Sequence, residues 1–341
     1  MPLVSKRSSS PAPVYSGYLA APNRLGELIV VVVQAECGFE AAQRCIQRSP
    51  VGYASQNGGT TGGKGGTTTT VASLAEFTAA VGKKTDTTPK VIYIKGAITG
   101  SAKVNIGSNK SILGTDSSAS LTGIGLYVDK STNVIIQNLK ISKVLAENGD
   151  AIGIQASTNV WVDHVDVSSD IDHDKDYYDG LIDVSHASDW VTISNSYIHD
   201  HYKASLVGHS DNNGAEDTGH LHVTYANNYW NNVSSRTPSI RFGTGHIFNS
   251  YYNGIFTSGI DTRQGAQILV ESTVFENTAE DIGYFNGKVT GYAVVNDVSL
   301  GSGTNTAPKG TLTVVPYSYT KLGSANVKAS VQANAGNKLK F

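Results

Sequence analysis

At 341 residues and 39% apolar composition the chain can bury a large core, as one elongated domain or as two compact ones. A formal net charge of -2 removes any global attraction to nucleic acid or an anionic membrane, so affinity for a polyanion would have to come from a local cluster. The two cysteines, Cys37 and Cys45, lie together near the start and exclude both a disulfide framework along the chain and a CxxC-type metal site. With 36 Gly, a single Met and abundant Asn, Ser and Thr, the composition favours a turn-rich all-β protein.

Along the first 49 residues, Lys6 and Arg7 precede a Ser/Pro-rich tract, and the apolar run Leu28–Val33 is short. It falls well below the roughly 20 residues a membrane span needs, and below the about 7–15 of a secretory h-region. Residues 1–50 are therefore expected to be an atypical N-terminal segment, either a processed leader cut after Val33–Ala35 or a misassigned start. The sequons at Asn109 and Asn232 fit a secreted glycoprotein. A Gly/Thr-rich lead-in covers Gly52–Thr70. Beyond it, Ser73 as N-cap with Leu74, Phe77 and Val81 at helical spacing predicts one short helix over Ser73–Gly82.

From Lys90–Ile98 onward the apolar period becomes two, in short β-branched runs broken by Gly, Asn, Asp and Ser. Six segments share an alternating apolar pair, a polar turn residue and a further apolar residue. Their turn residues are Asn138, His164, Asn195, Asn227, Asn249 and Ser272, at intervals of 26, 31, 32, 22 and 23. Such periods mean stacked units, none able to bury its own apolar face. Short strands, no intervening helices and a recurring Asn predict a right-handed parallel β-helix with a short N-terminal helix and protruding loops. Asn suits the bend because it tolerates left-handed backbone and can bond the same residue one coil away. A propeller would have more even periods, and a jelly roll would not repeat the Asn.

The two longest intervals mark coils with protruding loops, and they carry most of the acids, from Asp163 through Asp170, Asp172, Asp174, Asp176, Asp179 and Asp183 to Asp189. Asp179 and Asp183 can reach one point from a loop and the strand leaving it, and Asp150 starts the strand one coil earlier. Three such carboxylates suit Ca²⁺; a solvated acidic loop is the plainer reading. An EF-hand is excluded, because Lys175 and Leu181 stand where Gly and Glu are required. His199/His201 and His220/His222 lack a spaced third zinc ligand, and no GxSxG nucleophile elbow occurs. Beside the acids stand Lys203, then Arg236 and Arg241 around Pro238, then Arg263. Any one of these would ordinarily be a surface ion pair. Stacked beside an acid cluster, they would form a groove for a polymer bearing regularly spaced carboxylates.

The segments Asn159–His164 (NVWVDH), Asp179–Val184 (DGLIDV), Tyr197–Asp211 (YIHDHYKASLVGHSD) and Arg236–Gly243 (RTPSIRFG) resemble polysaccharide lyase family 1, the pectate lyases, most closely the fungal secreted members. The resemblance covers residues 51–341 and implies a parallel β-helix catalytic domain there. It implies Ca²⁺ ligands at Asp150, Asp179 and Asp183, Arg236 as catalytic base, and substrate-carboxylate contacts at Lys203, Arg241 and Arg263. The chain departs from some members at Asn148, where they carry an acid, and at Ser185, where they carry a basic residue.

The implied reaction is β-elimination on polygalacturonate by a secreted monomer, with neither nucleic acid nor membrane as partner. The C5 proton is removed and the C4 oxygen expelled, leaving a 4,5-unsaturated galacturonosyl end. Cations around the sugar carboxylate would offset the charge that develops as the proton leaves. Arginine is ordinarily always protonated, so clustered like charges and an alkaline optimum are expected of such a base. Three rivals remain. A pectin lyase acting on methyl esters would lack the acids, a polygalacturonase would leave the cation series idle, and a non-catalytic pectin-binding β-helix is the third.

Overall fold

Strand after strand, short β-branched runs pair in parallel with the equivalent run one coil before and one coil after. The computed structural model describes residues 51–285 and 287–341, which lie in a single compact unit. The predicted N-terminal segment, with Cys37, Cys45 and the run Leu28–Val33, lies outside the described residues.

Every strand-to-strand pairing among the described residues is parallel. One ladder carries the functional face: Ile152–Gln155, Ile182–Ser185, Leu206–Val207, Ser239–Arg241 and Ile260–Arg263. Its registers run Ile182 to Ile152, Val184 to Val207, and Arg241 to Arg263. Alternate residues point inward and stack, so Ile152, Ile182, Val184, Val207, Ile240 and Ile260 are all fully buried. Each such side chain contributes about 1.5–3 kcal/mol by leaving water, and only the neighbouring coils can supply the cover. This is why the sequence repeats. A second interior stack is aromatic, with Trp230 over Tyr252 and Tyr252 over Phe275, ring centroids 5.7 and 4.4 Å apart.

All six predicted turn residues have left-handed backbone, with φ of 59° at Asn138, 48° at His164, 49° at Asn195, 57° at Asn227, 50° at Asn249 and 47° at Ser272. Their N–H groups bond the next coil, for example Asn138 to the Asp163 carbonyl and Asn195 to that of Ala226. Of the expected side-chain bonds between equivalent residues, Asn249 to Asn227 forms at 3.1 Å. Asn195 instead donates to Asp163, which also accepts from Gln137, Ser194 and His164.

The predicted N-terminal helix spans Leu74–Val81. Ser73 Oγ accepts from Glu76 N, and Glu76 Oε2 accepts from Ala72 N, so side chains satisfy two donors at its start. Phe77 and Val81 are buried against the first strands. A second helix, Ser324–Asn334, was not expected. It turns Val327 and Val331 onto Tyr251 and Val274, outside the solenoid. Both sequon asparagines are half-buried with their amides engaged, Asn109 with the Thr87 carbonyl and Asn232 with Asp200. No helix among the described residues is long and apolar enough to cross a membrane.

Candidate active site

Two acids from consecutive coils meet over a glycine. Asp150 follows Gly149, whose φ of 77° ends a short 3-10 turn, and it leads into Ile152–Gln155. Its Oδ1 accepts from Gly180 N at 2.8 Å. Asp183 lies on the next coil, and its Oδ1 accepts from Leu206 N at 2.9 Å. A Cβ on Gly180 would stand 2.6 Å from Asp183 Oδ1 and 2.7 Å from Asp150 Oδ1, so only glycine leaves room for both carboxylates.

Crowding has an electrostatic cost. Burial, then the Asp179 charge, push the Asp150 carboxyl up to about 6, against the Gly180 N–H and the charges of Lys103 and Arg236. Asp183 is pushed well above the carboxylate range by burial and then by Asp150, with Arg236 opposing. Carboxylates held together against their own repulsion are suited to a hard divalent cation, which would keep both ionised.

Asp179 differs from the expected three-way convergence. Its Oδ1 lies 3.6 Å from Lys203 Nζ, and among the described residues no three acidic, His or Cys side chains are placed as a closed metal cage. The Asp179 backbone is fixed by a residue that sequence reasoning missed. Buried His201 donates from Nε2 to the Asp179 carbonyl at 2.6 Å and accepts from Ser169 Oγ at Nδ1, 2.5 Å. Burial takes its pKa down to about 4, so the ring is neutral and keeps this one-donor, one-acceptor arrangement.

The cations follow on the next coils. Lys203 ends the strand Tyr197–Lys203 and sits opposite Ser235 one coil on. Its Nζ lies 3.0 Å from Asp176 Oδ1, on the exposed loop. Asp176 is well exposed, so solvent screens this pair and leaves Lys203 able to exchange partners. Arg236 has φ 61°, a conformation uncommon for a residue with a side chain, and the Thr237–Pro238 peptide that follows is cis. The strand resumes at Ser239, so Arg236 and Arg241 are not bound to alternate faces. The charge of Arg236 acts on Asp150, Asp183 and Arg241 alike, which places it among the acids and the next arginine.

Arg241 is 8% exposed. It donates from Nε to Asp211 Oδ1 at 2.5 Å and from Nη1 to the Gly208 carbonyl at 2.7 Å. Arg263 lies beside it in register and donates from Nη2 to the same Asp211 oxygen at 2.8 Å. Asp211 is the second residue that the sequence reading left unassigned. Of the four histidines considered for zinc, His199 pairs with Asp166 and Asp200, and His220 and His222 pair with Asp189, while His201 is the one that holds Asp179.

Comparison with known proteins gives the family. Residues 25–340 match the protein family described as pectate lyase. The chain is 64% identical over 291 residues to probable pectate lyase A of Neosartorya fischeri, covering 85% of this chain and 88% of the relative. It is 59% identical over 313 residues to pectate lyase A of Aspergillus niger, covering 92% and 95%. Among solved structures, a pectate lyase from Bacillus sp. N165 in complex with trigalacturonate superposes with a TM-score of 0.78 at 32% identity. It covers 84% of this chain and 98% of that one. The chain therefore belongs to the pectate lyase family and is a polysaccharide lyase.

Proposed function

We propose that this lyase cleaves polygalacturonate by Ca²⁺-dependent β-elimination, leaving 4,5-unsaturated galacturonosyl ends, and acts as a secreted monomer. The observation that carries the reading is the meeting of Asp150 and Asp183 over Gly180, with Lys203, Arg236, Arg241 and Arg263 on the coils that follow. Asp150, Asp179 and Asp183 would hold the ion. A bound Ca²⁺ supplies fixed positive charge against the sugar carboxylate as its neighbouring C5 proton leaves.

The chain's own residues do the rest. Lys203, Arg241 and Arg263 hold substrate carboxylates, and the two arginines suit planar, bidentate contact. Arg236 receives the C5 proton. It must be neutral to do so, and activity should rise toward alkaline pH. Preorganised positive charge is the dominant catalytic contribution expected at such a site, because charge accumulates on the carboxylate in the transition state.

The test uses polygalacturonate and highly methylated pectin, each with Ca²⁺ and with chelator, followed by ultraviolet absorbance of the unsaturated product. Absorbance that appears on polygalacturonate and disappears with chelator supports the reading. Equal absorbance on methylated pectin would identify a pectin lyase instead. Reducing ends without absorbance would identify a hydrolase, and neither signal would leave a binding protein.

A further inference from the structure

Arg241 and Arg263 occupy the same register position on consecutive strands, Ser239–Arg241 and Ile260–Arg263. Parallel strands lie about 4.8 Å apart, so two guanidinium groups on them repel unless something stands between. Asp211 stands there, 30 residues before one arginine and 52 before the other, with one oxygen accepting from both. The Gly208 carbonyl takes a further donor of Arg241. On the outer side, a Cβ at Gly287 would come within 3.0 Å of Arg263 Nε, 3.1 Å of its Nη2 and 3.3 Å of Asp211 Oδ2. The three side chains are thus packed as one unit under a backbone that approaches closely.

The loop bearing Asp211 is itself anchored. Buried Asp217 accepts from Ala187 N at 2.8 Å on the preceding coil, and Gly214 abuts the Phe242 ring. Burial pushes the Asp211 carboxyl up, but the hydrogen bond from Arg241 and the two arginine charges outweigh it and hold it below its ordinary value. Asp211 is therefore ionised at neutral pH.

We infer that Asp211 is a positioning residue for substrate binding, holding the two guanidinium heads side by side and fixing which edge each presents to a galacturonate carboxylate. This rests on the reading of Arg241 and Arg263 as carboxylate-holding groups. With Arg241 engaged through Nε and Nη1, its Nη2 amino is left to face a ligand. Charge alone makes the opposite prediction. Removing an acid from a cationic groove would draw a polyanion in more strongly, so a weakened apparent affinity reads loss of orientation.

The experiment measures rates of unsaturated-product formation against polygalacturonate concentration, at saturating Ca²⁺. The proteins compared are the wild type, Asp211→Asn, Asp211→Glu, Arg241→Ala and the Asp211→Asn/Arg241→Ala double variant, each checked for its melting transition. Asp211→Asn is expected to raise KM about tenfold, some 1.4 kcal/mol, with kcat changed by less than about threefold. Asp211→Glu should fall between it and the wild type. On the Arg241→Ala background the Asn substitution should raise KM by clearly less than the tenfold it causes alone, because only Arg263 is left for it to position. An unchanged or lowered KM in Asp211→Asn, or effects that simply multiply in the double variant, overturns the inference while Arg241→Ala still raises KM. If Arg241→Ala itself leaves KM unchanged, the carboxylate-holding reading fails and takes the inference with it. Should Asp211→Asn not fold, Asp211→Glu is read alone, and a KM equal to the wild type's is the contrary result.

Discussion

Gly180 is a small residue with a large electrostatic consequence. Its missing side chain lets Asp150 and Asp183 close over it, where a Cβ would stand 2.6 and 2.7 Å from their oxygens. Gly180→Ala should force the carboxylates apart and weaken Ca²⁺ binding at least tenfold, about 1.4 kcal/mol or more. Titration calorimetry of Ca²⁺ into the protein reads this directly, and an affinity within twofold of wild type would count against the site. The acids and cations themselves were legible in the sequence, because charged residues make up only 16% of the chain, most of the acids crowd the two longest coils, and the cations run from there onto the two coils that follow. Asp211 and His201 were not. Their roles depend on partners 30 and 52 residues away in one case and 22 in the other, brought close by coil stacking and loop docking that no local pattern encodes.

The elements follow from two periodicities, one plain and one faint. The strands were legible because one inward face repeats every coil. The six turn residues were legible because each occupies left-handed backbone, where Asn is tolerated and most residues are not. The third acid, Asp179, lies on the loop between the two coils, 3.6 Å from Lys203 Nζ. The helix Ser324–Asn334 left almost no signal. It is rich in Ser, Asn and Ala, and only Val327 and Val331 mark a buried face. Its place comes from the apolar patch that Tyr251 and Val274 expose on the outside of the solenoid, so tertiary packing and not local propensity decides it.

For the whole molecule, Ca²⁺ held by the acid pair would be linked to stability and pH. Asp150 has a folded-state pKa of about 6, above the roughly 4 of an unfolded chain, and Asp183 is shifted the same way. Between those values the folded state binds more protons than the unfolded one, so metal-free stability from this pair is greatest at low pH and is lost as pH rises toward 6. The loss is on the order of 1–3 kcal/mol. Ca²⁺, which needs the ionised carboxylates, should therefore raise the melting temperature most above pH 6 and hardly at all near pH 4. The difference between scans with Ca²⁺ and with chelator isolates this pair from groups that titrate the other way, such as His201 and Asp170. An increment independent of pH would contradict the assignment. Elimination through Arg236 is read most directly by the rate of unsaturated-product formation from polygalacturonate by Arg236→Ala at saturating Ca²⁺ and alkaline pH. A loss of about a thousandfold or more, with the melting temperature kept, is the predicted result, and a rate within tenfold of wild type would contradict it.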